Sequence, residues 1–167
     1  MKINNIYSPN FNRAKRSKKS IKIIVIHYTG MQSERESIIR LCNPQSKASS
    51  HFLINQNGKV YRLVQDNRIA WHAGKSCWKH YKNLNKNSIG IELVNKGHRF
   101  GYTNFRKKQL LSLIKICKTL IKRYKIKKKK YSWSFWYCSI KKNWSRRKIS
   151  METIGEKKYW NLAWLQT

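Results

Sequence analysis

Two residues ask for a chemical explanation before any others. His27 closes an apolar, β-branched run from Ile21 to His27 (IKIIVIH) and is followed by Tyr28-Thr29-Gly30. An imidazole at the end of a buried strand sits where sheet enzymes place reactive groups, so it can act as a metal ligand; a hydrogen-bonded structural histidine fits the same pattern. Glu92 stands inside a second apolar run, Ser88 to Val94 (SIGIELV), and is one of only six acids in the chain. A carboxylate there faces desolvation, so it needs either a buried partner or catalytic or metal-linked work. Between the two, Trp71-His72-Ala73-Gly74 makes a compact loop that either lines a cleft or simply connects strands.

The elements that must position these groups are legible from periodicity. Ile21–His27 and Ser88–Val94 read as buried strands. His51–Ile54 and Lys59–Val64 read as strands joined around Asn57-Gly58, a strong hairpin signal. Glu34–Cys42 reads as a short helix with acids in its first turn. Leu110, Ile114, Cys117, Ile121 and Tyr124 recur at helical spacing and predict an amphipathic helix of about five turns, with Thr103 or Asn104 as caps and Cys117 buried. Residues 1–20 read as an irregular arm with turn chemistry at Ser8-Pro9-Asn10. Strands mixed with helices over 167 residues imply one α/β domain with a mixed central β-sheet flanked by helices.

Composition narrows the class of partner. The formal net charge is +32, from 38 Lys and Arg. Such charge attracts anionic polymers in general. The basic residues are spread along the whole chain and no nucleic-acid motif accompanies them, which disfavours a nucleic-acid partner. No run of apolar residues reaches membrane-spanning length, so no membrane partner is expected. The basic N-terminus lacks the apolar stretch of a signal peptide, which makes cytoplasmic the default expectation. The four cysteines form no C-x-x-C pair, so neither a zinc knuckle nor a redox motif is indicated.

Four ordered segments resemble the type 2 N-acetylmuramoyl-L-alanine amidase family, which shares its fold with the peptidoglycan recognition proteins. They are IVIHYTG at 24–30, SSHFLINQNGKVYRLV at 49–64, RIAWHAG at 68–74 and NSIGIELVNKG at 87–97. Ser8-Pro9-Asn10-Phe11 also resembles the family's N-terminal arm, and the likeness runs from about Ser8 to Lys130. The resemblance implies a zinc amidase domain over 21–130 acting on peptidoglycan or a muropeptide. It implies one catalytic zinc with His27 as a ligand, Glu92 as the carboxylate that assists the attacking water, and Tyr28, Trp71 and His72 near the substrate. A catalytically inactive peptidoglycan-binding module is the alternative that the same fold supports.

The family draws two further zinc ligands from C-terminal motifs resembling GHSDIAP and RKTDPG, and neither is present here. Residues 131–167 hold no histidine and no aspartate. Reading across codon boundaries suggests a cause. A shift of one base permits His at Ser134-Phe135, gives Asp at Trp136-Tyr137 and Trp144-Ser145 if both tryptophans are encoded by TGA, and requires Trp at Met151-Glu152. The shifted reading allows GHSDIAP and then DPGE. A homopolymeric stretch encoding Lys127–Lys130 is the natural place for the frame to slip. The expectation is an aberrant segment over 131–167 and a polypeptide impaired for zinc binding.

Overall fold

The computed structural model describes residues 2–78 and 80–126. Nine strands and three helices follow in order: β1 (Ile3–Asn5), β2 (Phe11–Asn12), β3 (Ile23–Tyr28), α1 (Glu34–Cys42), β4 (Phe52–Ile54), β5 (Val60–Arg62), β6 (Ile69–Ala70), β7 (Cys77–Trp78), β8 (Tyr81–Lys82), α2 (Leu84–Asn87), β9 (Ser88–Leu93) and α3 (Lys107–Tyr124). The two long apolar runs, β3 and β9, pair in parallel from Ile23 beside Ser88 to Tyr28 beside Leu93. β4 adds in parallel to the other edge of β9, β5 turns back antiparallel to β4, and β1 lies parallel to β5. The result is a mixed five-stranded sheet in the order β1-β5-β4-β9-β3.

Both faces of the sheet are covered, which is why its central strands are apolar almost throughout. On one face Leu110, Leu113, Ile116, Cys117 and Leu120 of α3 pack on Phe52, Ile54, Ile89, Ile91 and Leu93. On the other, α1 brings Leu41 against Leu53, Tyr61 and Leu63. Ala73 and Leu84 cover Ile23 on that side of β3. The Asn57-Gly58 turn joins β4 to β5 as expected. Gly58 has φ +82°, and a Cβ there would lie 2.6 Å from the Lys108 carbonyl, so only glycine lets α3 approach.

Two expectations change. The segment 1–20 is built into the domain: β1 extends the sheet, β2 pairs with β6, and Arg16 is buried. Strands of two or three residues are too short for alternation to reveal. The long helix begins at Lys107, with Arg106 at the N-cap position and no side-chain capping hydrogen bond, not with a cap at Thr103 or Asn104. The reason is local. The Asn95 side-chain amide donates to the Thr103 carbonyl at 2.6 Å, tying that residue to the loop after β9. The far end of α3 is held by Asp66, the only aspartate in the chain. It accepts from the Tyr124 hydroxyl at 2.6 Å and pairs with Arg123 at 3.3 Å and Arg62 at 3.9 Å. Lys127–Lys130 and the segment 131–167 lie outside the described residues.

Candidate active site

Parallel pairing brings the two chemically conspicuous residues together. His27 and Glu92 are register partners on β3 and β9, so their side chains leave the sheet on the same face. Glu92 Oε2 is closed off from solvent and has no hydrogen-bond partner among the described residues. Desolvation without a compensating cation pushes the carboxyl up to about 8. Burial acts in the opposite sense on the imidazole and lowers His27 to about 4. At neutral pH the face therefore carries an uncharged imidazole beside a carboxyl poised near the working pH.

Behind His27 lies a hydrogen-bonded imidazole network. His72 Nδ1 is 3.1 Å from His27 Nε2, and His72 Nε2 is 3.1 Å from Ser88 Oγ. The ring presses so closely on β9 that a Cβ at Gly90 would sit 2.4 Å from His72 Cγ. The loop that carries His72 is fixed by Asn85, whose Oδ1 accepts from the amides of His72 and Ala73 at 3.1 and 2.8 Å. His51, fully buried, accepts the Gly90 amide at Nδ1 (2.9 Å), while its Nε2 lies 2.8 Å from Arg16 Nη2 and 3.2 Å from the Arg68 carbonyl. Burial is the first cause lowering both rings, His51 to about 3 and His72 well below the usual imidazole range. The Arg16 cation adds to it at His51, and His27, His51 and Arg16 add to it at His72.

Of the residues expected near substrate, His72 stands against His27. Trp71 is anchored beside the loop, its indole N–H donating to Asn12 Oδ1 at 2.6 Å. Tyr28 follows His27 in the strand and so projects to the opposite face, where its ring meets Tyr102 and His98 edge-on at 6.0 and 6.3 Å. Sequence reasoning assigned no role to Arg16, Ser88 or His51. Ser88 could have been found: it lies two and four residues before Gly90 and Glu92, on the same face of a strand already recognised. Arg16 gave no signal, because its partners are backbone carbonyls 50 and 72 positions away.

A catalytic zinc site takes three protein ligands. Among the described residues, no three His, Cys, Asp or Glu side chains are grouped so as to hold a metal ion. His27, His51 and His72 lie ring to ring, with centroids 5.3 and 5.7 Å apart, but their facing nitrogens are taken up with one another, with Ser88, with Gly90 and with Arg16. The described residues therefore do not fit a complete zinc site.

The profile of the N-acetylmuramoyl-L-alanine amidase family matches residues 17–156, and the chain belongs to that family. Its members are zinc-dependent in general. The N-acetylmuramoyl-L-alanine amidase AmiD of Escherichia coli is 39% identical over 119 residues, covering 64% of this chain and 42% of AmiD. The 1,6-anhydro-N-acetylmuramyl-L-alanine amidase AmpD of Haemophilus influenzae is 29% identical over 136 residues, 71% of each chain. The solved complex of AmiD with anhydro-N-acetylmuramic acid-L-Ala-D-γ-Glu-L-Lys superposes with a TM-score of 0.59 at 35% identity, covering 71% of this chain and 49% of that one. An AmpD structure agrees in fold, with a TM-score of 0.62 at 22% identity over 74% of this chain and 75% of that one. The chain thus spans less than half the length of AmiD. The expected mixed-sheet amidase fold is the one observed.

Proposed function

We propose that this chain derives from, and retains the scaffold of, an enzyme that hydrolyses the amide between N-acetylmuramic acid and L-alanine in peptidoglycan or its anhydro-muropeptide fragments. The observation that carries this reading is the register pairing of His27 with Glu92 on one face of two parallel strands. Glu92 moves the proton: in its ionised form the carboxylate takes it from the attacking water and then returns it to the departing alanine nitrogen. His27 is the imidazole that the described part of the chain offers to zinc, and the Trp71–Gly74 loop flanks it. A muropeptide substrate is supported by the ligand named in the AmiD complex.

Full activity needs ligands beyond His27, and residues 131–167 as written contain neither histidine nor aspartate. The polypeptide in this frame is therefore zinc-poor and slow. Two measurements test this together: zinc equivalents per chain after dialysis, and release of peptide from an anhydromuramyl tripeptide. The chain as written is expected to hold well under one equivalent and to release little peptide. A version recoded in the shifted frame from codon 131 is expected to hold one equivalent and to turn over. Equal zinc and equal turnover in the two would overturn the frame argument, and no turnover in the recoded chain would overturn the amidase reading.

A second reading is favoured by the missing ligand group among the described residues: a binding module that holds peptidoglycan without cutting it. Retention on insoluble peptidoglycan with no soluble muropeptide released by either version would support it.

A further inference from the structure

The hydrogen bonds behind His27 have a direction, and donor accounting fixes it. The Ser88 hydroxyl has one proton, and its oxygen lies 2.6 Å from the Leu84 carbonyl, a group that can only accept. That contact takes the Ser88 proton. The same oxygen lies 3.1 Å from His72 Nε2, so there it accepts, and His72 carries its proton on Nε2. A neutral His72 is then bare at Nδ1. The atom facing that lone pair, at 3.1 Å, is His27 Nε2, which must therefore be the donor.

We propose that Leu84, Ser88 and His72 form a one-way relay that sets the tautomer of His27, with its proton on Nε2 and none on Nδ1. His72 and Ser88 are positioning residues in this scheme: they act through His27. The surroundings hold the arrangement in place. Ser88 is fully buried, Asn85 pins the backbone under His72, and the missing Cβ of Gly90 leaves room for the ring against β9. Groups that face His72 from the other side are the His51 ring at 5.7 Å and, beyond it, Arg16, and neither competes for the two His72 nitrogens. Orientation of a ligating histidine by its second nitrogen is a general device, and here the orienting group is another imidazole, itself oriented by a hydroxyl.

The proposal deepens the reading of His27 as a site residue, but its test does not depend on turnover. The full chain, labelled with 15N-histidine, is examined at neutral pH for a scalar coupling between nitrogens across the hydrogen bond. The expected result is a coupling between His27 Nε2 and His72 Nδ1, with the protonated-type shift on His27 Nε2 and the bare-type shift on His27 Nδ1. Ser88→Ala removes the acceptor that orients His72, so the coupling should weaken and the His27 nitrogens should move toward tautomer-averaged shifts. His72→Gln, which can accept from His27 and donate to Ser88, should keep the His27 tautomer. His72→Phe should lose it, provided its far-ultraviolet circular dichroism is unchanged; if His72→Phe does not fold, the Ser88→Ala and His72→Gln results decide. A wild-type spectrum with the proton on His72 Nδ1, with no coupling between assigned rings, or with coupling and shifts unmoved by Ser88→Ala would overturn the relay. A chain with the coupling but no amidase activity leaves the relay standing and counts only against the proposed function.

Discussion

Four titratable side chains around the site pull stability in opposite directions, and the signs can be worked out. His27, His51 and His72 have folded pKa values below that of a free imidazole. The unfolded chain therefore takes up protons first as pH falls below about 6.5, and stability is lost in acid. Glu92, raised to about 8, behaves in reverse: its contribution is fully present below about 4.5 and is lost as pH climbs toward 8. Between those limits three imidazoles outweigh one carboxyl, so these groups together place the stability maximum near pH 6.5. Urea midpoints measured from pH 5 to 9 check this, each unmatched proton accounting for at most about 1.4 kcal/mol per pH unit. Glu92→Gln should abolish the decline above pH 6.5 and stabilise the chain by about 1 to 3 kcal/mol at pH 8.5, because it replaces a desolvated carboxylate by a neutral amide. A variant whose profile still falls above pH 6.5 would show that Glu92 is not the group responsible. In the recoded chain the same substitution should remove turnover and leave zinc bound.

Among the elements, β9 carries the most information. Its outer residues, Ile89, Ile91 and Leu93, face α3, while Ser88, Gly90 and Glu92 face the site, so one strand seals the core and builds the chemistry by alternation. Gly90→Ala should cost about 1 to 3 kcal/mol, because the new methyl occupies the seat of the His72 ring and neither backbone nor ring can yield without loss. Thermal unfolding reads the cost, and displacement of His72 should also perturb the His27 shifts. The apolar run SIGIELV made this strand readable in the sequence, whereas its parallel partnership with the His27 strand is set by long-range pairing that the run itself does not encode. The first twenty residues were not readable in that way. Arg16 donates to the carbonyls of Asp66, Asn85 and Ser88 at 2.9, 3.1 and 2.7 Å, joining three distant segments through backbone atoms that any sequence possesses. Side-chain patterns cannot disclose such contacts. Arg16→Met should leave these acceptors buried and unpaired, at about 2 to 4 kcal/mol, a loss larger than any surface Lys→Met change and measurable by the same urea titration.

For the whole molecule, charge and reading frame are the governing facts. α3 bears Lys107, Lys108, Lys115, Lys118, Lys122 and Arg123 with no acid among them, yet folds because its other stripe is buried over the sheet. The excess charge should appear as salt-sensitive adhesion to anionic polymers. Binding to duplex DNA that vanishes at moderate salt while peptidoglycan retention persists would mark that adhesion as incidental. The gene decides the reading frame: TGA is expected at codons 136 and 144, and TGG at either removes one of the two aspartates that the shifted reading supplies. Asp66 gives that point its weight. The chain's solitary aspartate is already engaged in clasping the end of its longest helix, and releasing it would unfasten Tyr124 and Arg123. A divalent cation seeking a carboxylate among the described residues would have to break that clasp or recruit a glutamate, and Glu92, whose Oε2 is closed off from solvent, is already promised to the proton.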